Sequence, residues 1–360
     1  MRYRYHSLVF FSLVLYVFAS SGDRSEEFQN LIKRCELQQC RRSTFSPPLS
    51  LRLTGWTCLD DCKYTSMHAI TDREVLENIP VQQYYGKWPF YRFAGMQEPA
   101  SVAFSLLNLW FHVQGLQKVR SRIPDVHPMK PYYLSWSMVS VNAWVWSAVF
   151  HTRGALLDIT INRTTFHIYY ADLPMTEKLD YFSAALSILY GLYYTVVRLF
   201  HLYPLPRNQA LSTSSPETAS PILKLWSAIF IVTYICHISY LSLLPRFDYT
   251  YNIVFNLILG LAHNALWLVY SLPASLSLQR RFPSRPKSYR PAFVSRAALL
   301  VALTMSATTL ELFDFPPWSR VIDAHSLWHL STAPLVILFY EFLIEDALDE
   351  GWREEKPKPA

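Results

Sequence analysis

The chain is poor in charge. Asp, Glu, Lys and Arg make up 17% of its 360 residues, against 51% hydrophobic and 16% aromatic. Glycine is scarce, with nine residues, and neither glycine nor the 23 prolines recur with a period, which excludes a collagen-like or linker-type chain. No RNA- or DNA-binding signature accompanies the net charge of +6, so nucleic-acid binding is excluded as a role. The basic residues instead cluster beside hydrophobic runs, the pattern of cytosolic loops in a membrane protein. Mean hydropathy is modest for such a protein, +0.10, so polar segments must dilute the spans.

Residues 1–22 read as a secretory signal peptide: Arg2 and Arg4, an apolar core from Leu8 to Phe18, then a small-residue exit ending at Gly22. The alternative is a short signal anchor. Residues 23–98 are polar and aromatic and hold four of the five cysteines, Cys35, Cys40, Cys58 and Cys62. In an oxidising lumen these predict two disulfides, with three pairings open; their spacing also admits zinc. Cys236, inside a hydrophobic segment, is expected to pack.

Seven hydrophobic segments follow, at roughly 99–119, 132–151, 179–203, 222–244, 250–276, 294–313 and 324–343, each near bilayer-spanning length. With a lumenal N-terminus, the basic first loop (Arg120, Arg122, Lys130) and fifth loop (Arg280, Arg281, Arg285, Lys287, Arg290) fall in the cytosol. The predicted fold class is therefore all-α membrane: a seven-transmembrane-helix bundle over residues 99–344, a small disulfide-containing lumenal N-terminal domain, and a cytosolic tail at 345–360. That tail carries Lys356 and Lys358, a dilysine address read by COPI-type retrieval machinery, which predicts a multi-pass protein of the endoplasmic reticulum membrane.

Chemistry concentrates in a few polar residues. His325 and His329 stand four residues apart, which puts both imidazoles on one helix face where they can grip one metal ion. Ionisable groups inside a bilayer are costly, so such a pair reads as functional. His151 closes the second segment and Asp180 opens the third. The predicted topology brings all four to the lumenal leaflet. Three histidines with Ser147 and Asp180 form the inventory of a catalytic zinc site with one open position, where zinc lowers the pKa of its water to about 7. Serine as covalent nucleophile is the rival reading, but it leaves two histidines without a task. His112, His201, His237 and His263 are expected to be packed or hydrogen-bonded singly. Glu311 and Asn142 are expected to face the bundle interior. Asp323 and Asp314 read as cap or loop residues, with support of a ligand imidazole as the alternative.

Longer motifs carry a family resemblance. They are Gly55-Trp-Thr-Cys-Leu-Asp-Asp-Cys-Lys-Tyr64, Gly86-Lys-Trp-Pro-Phe90, Gln97-Glu-Pro-Ala100, Phe150-His-Thr-Arg153, Thr176-Glu-Lys-Leu-Asp-Tyr-Phe182, and Phe313-Asp-Phe-Pro-Pro317 running into Asp323-Ala-His-Ser-Leu-Trp-His329. The chain resembles the post-GPI-attachment phospholipases, which remodel the lipid of glycosylphosphatidylinositol anchors. That family is similar in turn to alkaline ceramidases and progestin/adiponectin-type receptors, with a shared pattern resembling Ser-x-x-x-His, Asp and His-x-x-x-His. The resemblance implies zinc on His151, His325 and His329, with Ser147 and Asp180 catalytic. It also implies GPI-anchored proteins and their lipid as partners, and hydrolysis of the sn-2 acyl ester to give lyso-GPI. A ceramidase-like lipid amidase, or a non-catalytic seven-helix receptor or folding factor, remain the alternatives.

The chain departs from that family in two places. Ser66 and Leu31 stand where further lumenal cysteines are expected. Residues 154–171 are extra: deleting these eighteen joins His151-Thr-Arg153 to Asp172 and restores the expected run. They read as a retained short intron; the alternative is a genuine lumenal insertion, with a glycosylation acceptor at Asn162. Sequencing the transcript across this junction should yield reads lacking the insert, and its presence in every read would refute the intron.

Overall fold

The computed structural model describes residues 21–41, 46–153, 175–203, 220–244 and 247–352. Nearly all of the signal peptide, the 154–171 stretch with Asn162, and Lys356 with Lys358 lie outside the described residues. The described chain is almost wholly helical. α1 (Glu26–Cys35), α2 (Leu49–Leu53) and α3 (Cys58–Leu76) precede seven long helices: α4 (Pro99–Arg122), α5 (Lys130–Thr152), α6 (Met175–Leu199), α7 (Pro221–Leu243), α8 (Tyr249–Ser271), α9 (Ser295–Leu312) and α10 (Ala324–Leu348). By length and composition, α6 to α10 are apolar enough to cross a membrane. α4 and α5, counted as spans on sequence, are long enough but are not among those five. Their polar residues, including Gln114, Gln117, Lys118, Asn108 and several serines, lower their hydropathy.

The long helices close into a ring. α4 packs on α5 and α10, α5 on α6, α6 on α8, α8 on α9, and α9 on α10. α7 rests against α6 and turns Ile222, Leu225, Ile231 and Val232 outward. Cys236 is exposed on this helix, a correction to the packed position expected of it: α7 touches the bundle along one narrow stripe, and position 236 falls off it. α4 and α10 approach closely because Gly115 lacks a side chain; a Cβ there would come within 2.2 Å of the Tyr340 ring.

A buried ion pair holds one pole of the ring. Arg198 Nε and Nη2 donate to the two carboxylate oxygens of Asp346, each at 2.7 Å, and both residues are fully buried. Tyr270 donates to the same carboxylate at 2.6 Å, and the remaining guanidinium nitrogen donates to the Arg281 carbonyl at 2.7 Å. One pair thus joins α6, α8, α10 and the loop after α8. Its fork geometry satisfies two buried charges at once.

The N-terminal region packs over the other pole. α1 and α3 run antiparallel, tied by Cys35–Cys62 at one end and by Glu27 to Arg73 at the other. The second disulfide is Cys40–Cys58, which resolves the pairing left open by sequence. Phe28, Ile32, Ile70 and Tyr84 form a small separate core. Ser66 lies one turn beyond Cys62 and Leu31 one turn before Cys35, so in antiparallel helices they occupy the next rung after the Cys35–Cys62 bridge.

Docking onto the bundle centres on the α9–α10 loop. Arg320 donates from Nη1 to His68 Nδ1 at 2.9 Å and pairs with Asp72 at 2.7 Å. His68 in turn reaches the Phe90 carbonyl through Nε2 at 3.1 Å. Burial pushes the His68 imidazole down to about 4, so near neutrality it is uncharged and can accept from Arg320.

Breaking a buried pair strands a charge, which costs about 3–5 kcal/mol. Arg198→Met should therefore lower the unfolding free energy of the detergent-solubilised chain by about that amount, and Arg198→Met/Asp346→Leu should recover most of it. A wild-type-like transition in the single variant would refute the lock.

Candidate metal centre

α10 begins with a capping box. Asp323 accepts from the Ser326 N–H at 2.8 Å, and Ser326 Oγ accepts from the Asp323 N–H at 3.0 Å. This fixes the helix start, so His325 and His329 emerge one turn apart on its inner face. At the other side, the chain entering α4 is stitched to the end of α5: Gln97 N–H donates to the Thr152 carbonyl at 2.9 Å and Glu98 N–H to the His151 carbonyl at 3.1 Å. Glu98 occupies the N-cap position of α4 but makes no side-chain cap there. Its carboxylate turns to His151 instead.

The three histidines meet. His325 Nε2 lies 3.2 Å from His151 Nε2 and 2.8 Å from His329 Nε2, and one ligand atom from each lies within 4.8 Å of the others. Ligands held 2.0–2.1 Å from a tetrahedral zinc stand about 3.3 Å apart, so the spacing fits one ion after a small opening of the His325–His329 pair. The outward nitrogens decide the protonation. His151 Nδ1 donates to Glu98 at 2.8 Å and His325 Nδ1 to Glu311 at 2.7 Å, while His329 Nδ1 lies 3.0 Å from Ser105 Oγ. The carboxylates put the Nδ1 protons of His151 and His325 on the outer side, and the Ser105 hydroxyl, which can donate or accept, is compatible with the same tautomer of His329; each Nε2 lone pair can then face the shared point, the arrangement a metal ligand needs. The donor set therefore fits a metal ion.

The electrostatics are uneven. His151 and His329 are buried, whereas the His325 and Glu311 side chains are 34% and 35% exposed, so the cluster is open on the α9–α10 side. Trp144 and Trp328 wall it, with ring centroids 5.1 and 5.0 Å from His329. Glu98 is buried and ionised: burial works to raise its carboxyl, but Lys87 and His151 hold it well below the usual range.

The other two expected site residues sit differently. Ser147 lies one turn before His151 on α5, and its hydroxyl bonds Ser105 Oγ at 3.0 Å rather than an imidazole. That leaves it without the adjacent base that a covalent nucleophile needs. Asp180 does not open its helix: α6 starts at Met175, so Asp180 sits more than a turn inside. No described residue hydrogen-bonds its carboxylate, which lies within electrostatic range of His325 and Lys87.

Sequence reasoning passed over Glu98 and Ser105, and it placed Glu311 in the bundle interior. Glu311 instead lies exposed at the α9–α10 seam, and Asn142 is likewise exposed while donating to Ser183 at 3.1 Å. A lone carboxylate or serine gives no spacing signal; only the helix packing reveals its partner. Asp323 is the helix cap, and Asp314 accepts from Gln83 at 2.7 Å and Trp88 at 2.5 Å, in line with the cap and loop reading. His112 pairs with Tyr340 and His263 with Thr195, His201 bonds both Tyr203 and the Arg280 carbonyl, and His237 is buried in an aromatic stack.

Comparison with known proteins places these features in context. A family model described as the Per1-like family matches residues 48–347. The "Protein PER1 homolog" of Schizosaccharomyces pombe is 38% identical over 340 residues, covering 92% of this chain and 89% of that protein. The "GPI-specific phospholipase A2-like PGAP3" of Xenopus laevis is 38% identical over 338 residues, covering 92% of each. Its namesake in Homo sapiens is 36% identical over 334 residues, covering 91% and 90%. No solved structure matches the chain.

Loss of an outer hydrogen-bond partner typically weakens metal binding by 10–100-fold. Ser105→Ala should therefore weaken zinc affinity by roughly 10–100-fold in a chelator competition, whereas Ser147→Ala, one bond further out, should leave it within about two-fold. Equal effects of the two substitutions would overturn this ordering.

Proposed function

The chain belongs to the Per1-like family, and from that premise we propose that it hydrolyses the sn-2 acyl ester of the inositol phospholipid in GPI-anchored proteins, with zinc at His151, His325 and His329. The observation that carries the reading is the convergence of three imidazole Nε2 atoms whose Nδ1 atoms are all tied outward. A receptor or scaffold would have no need of this arrangement. The relatives' names, GPI-specific phospholipase A2-like, supply the substrate class.

Zinc in such a site supplies Lewis acidity and a water whose pKa falls to about 7. The residues do the rest. Asp180, whose carboxylate no described residue hydrogen-bonds, takes the proton of the attacking water and delivers it to the departing glycerol oxygen. The bond between the acyl carbon and that oxygen breaks, leaving a free fatty acid and a lyso-lipid. The serines form a directed chain. His329 Nδ1–H donates to Ser105, so the Ser105 proton goes to Ser147 Oγ, and the Ser147 proton is left for the carbonyl oxygen as it gains negative charge. Trp144 and Trp328 limit the water that can reach the cluster.

The proposed placement is the endoplasmic reticulum membrane, N-terminus lumenal and C-terminus cytosolic, with Lys356 and Lys358 as the retrieval address. The site then faces the leaflet in which GPI-anchored proteins present their lipid. Mass spectrometry of GPI lipids tests the whole reading, in cells lacking endogenous remodelling that express this chain or His325→Ala at equal levels. Loss of the sn-2 acyl group with the unaltered chain alone is expected; remodelling by both would make the histidine cluster non-catalytic.

A further inference from the structure

The N-terminal region reaches the metal centre through one tight turn. In Tyr84-Tyr85-Gly86-Lys87 the Tyr84 N–H donates to the Lys87 carbonyl at 2.8 Å, and the Lys87 N–H to the Tyr84 carbonyl at 3.0 Å. Tyr85 and Gly86 have φ of 53° and 77°, so both central residues are left-handed, as in a type I′ turn. Nothing lies within 4 Å of a Cβ built at Gly86; the backbone angle alone accounts for glycine there. Asp314 clamps the turn from both flanks, through Gln83 at 2.7 Å and Trp88 at 2.5 Å.

The clamped turn aims Lys87 inward. Its ammonium pairs with Glu98 Oε1 and stands 4.0 Å from the centroid of the Phe150 ring, next to His151 in sequence. The other oxygen of the same carboxylate, Oε2, accepts from His151 Nδ1 at 2.8 Å. The Lys87 and Glu98 side chains are only 21% and 7% exposed, unlike a surface ion pair held loosely by solvent. One carboxylate is thus split between an ammonium that fixes its rotation and an imidazole that needs it in one place.

We propose that Lys87 is a positioning residue of the metal centre: it pins Glu98 so that Glu98 orients His151, which makes the docked N-terminal region part of the metal site rather than a neighbouring module. This inference rests on the metal-site reading above. Without Lys87, Glu98 is a buried carboxylate with freedom to rotate, and the His151 ring loses its fixed tautomer and direction. Arginine can replace the ammonium; methionine keeps the length of the stem without the charge.

The test is zinc affinity of the full-length chain in detergent, by competition with a chelator, for the unaltered protein, Lys87→Met, Lys87→Arg, Glu98→Gln, Lys87→Met/Glu98→Gln and His325→Ala. Lys87→Met should bind zinc roughly 10–100-fold more weakly, and Lys87→Arg should restore most of the loss. Because Lys87 acts through Glu98, the double variant should bind no more weakly than Glu98→Gln alone. Unchanged zinc binding in Lys87→Met overturns the inference, and so do losses that multiply in the double variant, the outcome expected of independent roles or of a misfolded chain. If the unaltered protein binds zinc no better than His325→Ala, the metal-site reading itself fails and takes the inference with it.

Discussion

Everything at the candidate site depends on where three imidazole protons point. An imidazole offers a lone pair on one nitrogen only if its proton sits on the other, and that proton goes where an acceptor waits. Here Glu98 and Glu311 hold the Nδ1 protons of His151 and His325, and Ser105 Oγ stands at Nδ1 of His329 in a position that suits the same tautomer, so the three Nε2 lone pairs can face one point. Neutral lone pairs gathered at one point repel one another, and an ion at their centre removes that conflict. The acceptors are not alike. Two carboxylates and one hydroxyl surround the cluster, and one of the carboxylates is itself balanced by Lys87.

Each acceptor comes from a different part of the chain. Glu98 precedes α4, Ser105 lies in its second turn, and Glu311 closes α9, while the histidines belong to α5 and α10. No pair of elements makes the site by itself. The N-terminal region adds a further condition, because the Asp314 contacts and the Arg320 clasp fix the turn that delivers Lys87. The disulfides Cys35–Cys62 and Cys40–Cys58 stabilise a region whose own apolar core is small, which is the usual use of disulfides in such segments.

The helices and the clustered histidines His325 and His329 were legible in the sequence because both depend on local periodicity. Hydrophobic runs of bilayer length located α6 to α10, and an i, i+4 pair needs only one helix to be read. α4 and α5 were found as runs although their polar residues lower their hydropathy; Ser105, Asn108, Ser140 and Ser147 are buried between helices, where polarity serves packing and the site. The acceptors on Nδ1 could not be read the same way. Glu98 is some 53 residues from His151 and Ser105 some 224 from His329, and no period links residues that meet only when the ring closes. Cysteine pairing stayed open for a related reason: four cysteines allow three connectivities, and the antiparallel run of α1 on α3 selects one.

α10 joins the two poles of the molecule. Its inner face carries His325 and His329 at one end and Asp346 at the other, 21 residues from His325, which is about 32 Å along a helix and so close to the thickness of a hydrocarbon core. The Asp323–Ser326 box fixes where the helix begins, and the Arg198 fork fixes its rotation at the far end. A slip of one residue would turn every side chain by about 100°, swinging both imidazoles off the shared point and Asp346 away from Arg198 together. The buried ion pair thus does for register what the carboxylates do for tautomer. A buried carboxylate held by Arg198 and Tyr270 together permits only one rotation of the helix, and that rotation aims the histidines inward. The pole away from the histidine cluster is closed, with Arg198 and Asp346 fully buried. The histidine pole keeps an opening beside His325 and Glu311, at the α9–α10 seam.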